Sequence, residues 1–195
     1  MNFTIKSAKK RELDLIKDWS DMKKCFQIRN TYYFPDEYIS LDIKKDVETL
    51  ESMFNKYDSN LDKNKIIYRG LSFSKKNDDK SSYYYLMKEA LKSVEGTNNT
   101  ISIDLAPSSF TKSKDVAENE FGKILNQDYY SIIYKLTKRY SNEIDIKDDM
   151  TDFAYQKEII IRSQKAKYKV LSIVKKNYDT IIIEIVEEES QNVTY

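Results

Sequence analysis

Lys65-Ile66-Ile67-Tyr68-Arg69-Gly70 is where the pattern of this chain changes. A β-branched and aromatic run closed by glycine reads as a short strand. Upstream of it, apolar residues recur at helical spacing. Leu13, Ile16, Trp19, Met22, Cys25 and Phe26 predict one amphipathic helix over residues 9–29. Pro35-Asp36 restarts the chain, and Leu41, Val47, Leu50, Met53 and Phe54 predict a second helix ending near Tyr57. Downstream, strands dominate. Residues 101–105, 131–136, 156–162, 167–174 and 180–186 each read as a strand, and Ser109-Phe110-Thr111 as a short extended piece after Pro107. Two helices interrupt them, over residues 81–94 with a serine cap and over residues 114–124 behind Ser113. Gly96-Thr97-Asn98-Asn99 reads as a turn, and residues 141–151 as a polar, acid-rich loop. Helices first and strands later predict an α+β fold rather than alternating βαβ units.

At 195 residues one domain is the expectation, with a helical part over 1–60, a sheet core over 61–187 and a loose tail over 188–195. Lys+Arg 33 against Asp+Glu 32 leaves a formal charge of +1, which gives no general pull toward nucleic acid. Cys25 is the one cysteine, so no disulfide can form within the chain, and it reads as a small core residue. That usage, with no apolar leader after Met1 and no apolar run of membrane-spanning length, predicts a cytoplasmic protein that does not engage a membrane.

The chain has no histidine. This excludes Ser-His-Asp and Cys-His catalysis, histidine general bases and His-ligated zinc. The three glycines, Gly70, Gly96 and Gly122, form neither a dinucleotide fingerprint nor a phosphate loop. Chemistry falls to carboxylates, hydroxyls, amides, lysines and arginines.

Three short segments carry such groups. Arg69 ends the strand that changes the pattern, where its planar fork suits paired hydrogen bonds to a pyrophosphate. Gly70 beside it leaves room for a ligand to reach the backbone. The plainer reading of Arg69 is a strand-end ion pair. Ser109 and Thr111 alternate, so their hydroxyls share a strand face and suit a ribose or a carboxylate. The plainer reading is an edge strand followed by a serine cap. Gln156 and Glu158 stand two apart on a predicted strand, both on one face and about 6–7 Å apart. A glutamate at the head of Ile159-Ile160-Ile161 is costly if buried unpaired, and an exposed strand entrance is the alternative.

In this order the segments resemble the arginine, serine and glutamate motifs of mono-ADP-ribosyltransferases, over about residues 66–186. The run Ser108-Ser109-Phe110-Thr111-Lys112-Ser113 and the lysine-rich strand before the last one are most similar to the small T-even-phage enzymes of the Mod type. The resemblance implies N-terminal helices followed by two packed, mostly antiparallel sheets around an NAD cleft. It implies Glu158 as the catalytic glutamate with Gln156 beside it, and NAD, a consumed co-substrate, held by Tyr68, Arg69, Gly70, Ser109, Phe110 and Thr111. No metal takes part. Phe153 and Tyr155 would lie on the loop that contacts targets.

One residue departs from the arginine-modifying members, which carry glutamate where this chain has Gln156. Rho-modifying clostridial exoenzymes resemble it in having glutamine there. An amide orients an acceptor but does not act as its base at ordinary pH. The expected activity is transfer of ADP-ribose to a macromolecule of a host, by a monomer. A protein side chain (Asn, Gln or Arg) is the first candidate and a nucleic acid stays open. NAD glycohydrolase activity, or a catalytically silent binding module on the same fold, are the alternatives. Asp145, Asp148, Asp149 and Asp152 match no calcium loop and read as solvated, and Tyr83-Tyr84-Tyr85 as helix packing.

Overall fold

The computed structural model describes residues 3–189 apart from 21, 23, 58–63, 97–99, 125–127 and 164–165, and omits the side chains of 77–79. The turn expected at 96–99 therefore falls mostly outside the described residues, as does the expected tail beyond 189. The chain divides into two compact units, one of Met1–Leu61, Asp104–Ser109 and Ser141–Gln164, the other of Asp62–Ile103, Phe110–Tyr140 and Lys165–Tyr195.

The first unit holds helices α1 (Lys10–Ser20), α2 (Cys25–Tyr33) and α3 (Leu41–Lys56), and strands β4 (Glu143–Asp145) and β5 (Glu158–Ile161), which pair antiparallel. Its core joins Ile16, Trp19, Cys25, Ile28, Leu50 and Phe54 of the helices to Ile144, Ile146, Met150 and Ile160. The single helix expected over 9–29 is broken. Met22 lies between α1 and α2 with φ 60, a left-handed conformation that no α-helix tolerates, and its amide returns to the Trp19 carbonyl at 2.9 Å. The break re-aims α2, so Phe26, expected inward, is exposed. Leu41 is exposed as well, being the first residue of α3 after the Ser40 cap.

A polar tie fixes the segment 104–109 on α2. Asp104 accepts from Arg29 Nη2 at 2.9 Å, from the Ser108 hydroxyl at 2.7 Å, from Ala106 N at 3.0 Å and from the Tyr33 hydroxyl. These bonds turn the chain, so the strand expected at 101–105 shrinks to one bridge, Ile101 with Tyr168. They also deliver Ser109 to its place.

The second unit contains β1 (Lys65–Ser74), α4 (Asn77–Val94), β3 (Tyr129–Lys138), β6 (Lys167–Lys175) and β7 (Thr180–Glu188). β1 and β3 run antiparallel from Lys65↔Lys138 to Ser74↔Tyr129; β3 and β7 run parallel; β6 and β7 run antiparallel. Strand β2 (Ser108–Thr111) meets β1 at Tyr68↔Thr111. Within this unit the strand order is β2-β1-β3-β7-β6.

Gly70 does not close β1. The strand runs through it to Ser74, since its missing side chain admits the turn at 117–122. That turn is a short α5 (Lys114–Val116), capped by Ser113 as expected, followed by a π-turn at Ala117–Phe121 in place of a longer helix. Likewise α4 begins at Asn77, not at a serine cap, and Tyr83 alone of its three tyrosines is buried, stacked on Tyr130 at 4.4 Å. Glu187, the last residue of the expected sheet core, is buried in β7 and accepts the amides of Arg139 and Tyr140 at 2.7 and 2.8 Å, and the strand runs one residue further, to Glu188. No helix among the described residues is long and apolar enough to cross a membrane.

Candidate active site

Glu158 opens β5, and the chain before it turns rather than extends. Residues Ala154–Gln156 form a 3-10 turn, and Lys157 follows with φ 47. The left-handed residue lets the strand begin at Glu158 itself, whose carbonyl accepts Ile146 N at 3.1 Å. Gln156 therefore does not share a strand face with Glu158, contrary to the alternation expected from their spacing. It sits in the turn, with its amide 3.5 Å from the Tyr155 hydroxyl. Tyr155 is exposed, and its ring meets that of Phe153 edge-on at 6.4 Å.

The glutamate at the head of an apolar strand is buried, with 6% of its surface exposed. It is not left without partners. Trp19 Nε1 donates to Oε1 at 3.2 Å, and the Ser20 hydroxyl donates to Oε2 at 3.0 Å. The Ser109 hydroxyl bonds the carboxylate too, while accepting the same Trp19 N–H at 3.0 Å. Burial pushes the carboxyl of Glu158 above the ordinary carboxylate range, and the hydrogen bonds from Ser109, Ser20 and Trp19 pull it back in part. Every one of these donors is neutral, and no cation among the described residues cancels the charge.

The second unit carries the other candidates. Arg69 is buried in mid-strand, opposite Tyr134 of β3, with its guanidinium 5.7 Å from the centre of the Phe110 ring. Phe110 and Thr111 are fully buried, and Thr111 Oγ1 accepts Ser113 N at 3.0 Å, so that hydroxyl shapes the local turn. Tyr68 is half-buried. Gly70 serves packing: a Cβ there would stand 2.0 Å from the Ala117 carbonyl oxygen and 2.3 Å from Gly122 N. The access for a ligand expected at Gly70 is taken on that side by the protein's own backbone.

No family model and no curated protein sequence matches the chain. Solved structures do. The C3 exoenzyme of Clostridium limosum superimposes with a TM-score of 0.64 at 15% identity, over 94% of this chain and 87% of that one. C3stau2 from S. aureus, solved with NAD, gives 0.61 at 18% identity, over 97% and 98%. The Vis toxin, an ADP-ribosyltransferase from Vibrio splendidus, gives 0.56 at 12% identity, over 97% and 78%. This is the ADP-ribosyltransferase fold.

The structure brings the two candidates Glu158 and Ser109 together and adds two partners that the sequence did not mark. Trp19 and Ser20 lie 139 and 138 residues from Glu158 in the chain. Trp19 sits on an apolar helical stripe and is 1% exposed, so it reads as core, which it also is. The one available signal was its indole N–H, which needs an acceptor when buried. A surface cavity of about 480 Å³ lies along α1 and α3, between Arg11, Glu12, Lys45 and Glu48. Glu12 is already committed to Lys56, Tyr57 and Lys9 N, with its carboxyl held low despite burial. That cavity is a solvated groove of the helical face. Among the described residues no three Cys, Asp or Glu side chains gather as a metal site.

Proposed function

We propose that this chain is an NAD-dependent mono-ADP-ribosyltransferase that moves ADP-ribose from NAD to a macromolecular acceptor. The observation that carries the reading is Glu158, an acid buried without a counter-cation and fixed by hydrogen bonds, at the head of β5 in this fold. An enzyme that must face a developing positive charge needs such a preorganised carboxylate.

NAD is the co-substrate. The bond between ribose C1′ and the nicotinamide nitrogen breaks, and its electron pair leaves with nicotinamide. Positive charge develops on the ribose, where Glu158 stabilises it and accepts a hydrogen bond from a ribose hydroxyl. The acceptor then bonds to C1′ and gives up a proton. Ser109 steadies Glu158. Arg69 takes the phosphates through its planar fork, with Phe110 against it.

Gln156 orients the acceptor from the turn before β5, and exposed Tyr155 with Phe153 supplies an aromatic anchor for it. The Gln-x-Glu spacing, like that of the Rho-modifying clostridial exoenzymes, favours an amide side chain as acceptor over arginine. The motif layout shared with the small phage enzymes of the Mod type favours a host macromolecule.

Incubation with NAD labelled in the adenosine half tests the reading. Wild type should release nicotinamide and label a macromolecule from lysate, and Glu158→Gln should lose at least about 100-fold of the release. Release of free ADP-ribose alone would make the protein a glycohydrolase. No release by wild type would leave a binding module.

A further inference from the structure

We infer that Trp19 and Ser20, on the last turn of α1, are positioning residues that set the plane of the Glu158 carboxylate and leave it one open acceptor site. The inference rests on the transferase reading above and adds to it the part played by α1.

A carboxylate offers about four lone-pair sites. Protein donors fill three: Trp19 Nε1 on Oε1, Ser20 on Oε2, and Ser109. One site remains for a substrate hydroxyl. The terminal torsion of a glutamate is otherwise broad, so a carboxylate gripped through one oxygen can still swing. Donors on both oxygens remove that freedom.

Trp19 acts twice. Its single N–H lies 3.0 Å from Ser109 Oγ and 3.2 Å from Glu158 Oε1. A serine that accepts the indole N–H has its own proton left to give, and the carboxylate takes it. Trp19 thus fixes the direction in which Ser109 donates. The ring itself is immobilised, 1% exposed among Ile16, Ile160 and the rest of the helical core. Rigid support of this kind is what holds a reacting group in place.

The course of the chain supports the same reading. α1 stops at Ser20, and the chain leaves through Met22 in the left-handed region. A non-glycine residue there is strained. Such strain tends to be kept where geometry serves a site. Among the described residues only these neutral donors bond Glu158, so removing one changes neither charge nor ion pairing at the site.

The experiment compares Trp19→Phe and Ser20→Ala with wild type in steady-state nicotinamide release across pH. A melting curve accompanies each variant, and a ¹³C-carboxyl titration follows the resonance that Glu158→Gln removes. Losing a hydrogen bond to a charged group should lower kcat about 10-fold in each variant, with KM for NAD little changed. It should also move the acid limb and the carboxyl titration to higher pH, because the ionised form loses a donor. Folded variants with wild-type kcat and an unmoved acid limb would overturn the inference while an active wild type keeps the transferase reading. Loss confined to KM would overturn it equally. A wild type that releases no nicotinamide removes the reading and the inference together.

Discussion

Glu158 carries its charge out of water into a setting where only neutral donors receive it. An acid whose folded pKa is raised binds its proton more tightly folded than unfolded. The stability it contributes is present at low pH and is lost as pH rises through the ordinary carboxylate range toward the raised value. Glu158→Gln removes that cost. The amide oxygen can face the Trp19 N–H while the amide NH₂ faces Ser20, whose hydroxyl turns to accept. This variant should therefore melt at or above wild type at neutral pH, with the gap closing on acidification. A lower melting point at neutral pH would show the charge to be net stabilising. At Arg69 the expectation concerns shape rather than charge. Arg69→Lys should weaken NAD binding in calorimetry, because an ammonium cannot reproduce the planar fork or its face-on approach to Phe110. Unchanged binding would make Arg69 structural. Glu158, Ser109 and Arg69 stood out in the sequence as candidates only through the order of their three segments and the family resemblance, since each taken alone has a plainer reading. The donors from α1 were not legible, since nothing local in Trp19-Ser20 announces a partner so far along the chain.

Elements were legible where periodicity was strong and boundaries were not. β1, β3, β6 and β7 and the helices α3 and α4 stand where alternation or helical spacing put them. The misses share a cause: a backbone conformation set by contacts rather than by residue type. Met22 and Lys157 adopt positive φ without being glycine, so neither the break after α1 nor the turn before β5 was visible. Gly70 was visible but for another reason than packing. Gly70→Ala should destabilise the protein by about 2 kcal/mol or more, since the new Cβ meets backbone that cannot rotate away. The check is the denaturant midpoint without ligand. An unchanged midpoint would mean that the π-turn yields freely.

At the scale of the molecule the open quantity is the acceptor, and Gln156 is the handle on it. Gln156→Ala should leave nicotinamide release in water largely intact and sharply reduce labelling of the target, with free ADP-ribose and target mass measured side by side. Equal loss of both would make Gln156 a support of Glu158. The fold class could be read from the order of helices and strands, whereas the acceptor could not, because the chemistry that selects it belongs to the partner as much as to this chain. The lone tryptophan has a further consequence. The chain holds Trp 1 and Tyr 16, and that one indole is hydrogen-bonded to the proposed catalytic carboxylate. Excited at the red edge, beyond tyrosine absorption, its fluorescence becomes an intrinsic optical probe of Glu158. Protonation of the acid, arrival of NAD and departure of nicotinamide should each change the emission, with no label attached to the protein.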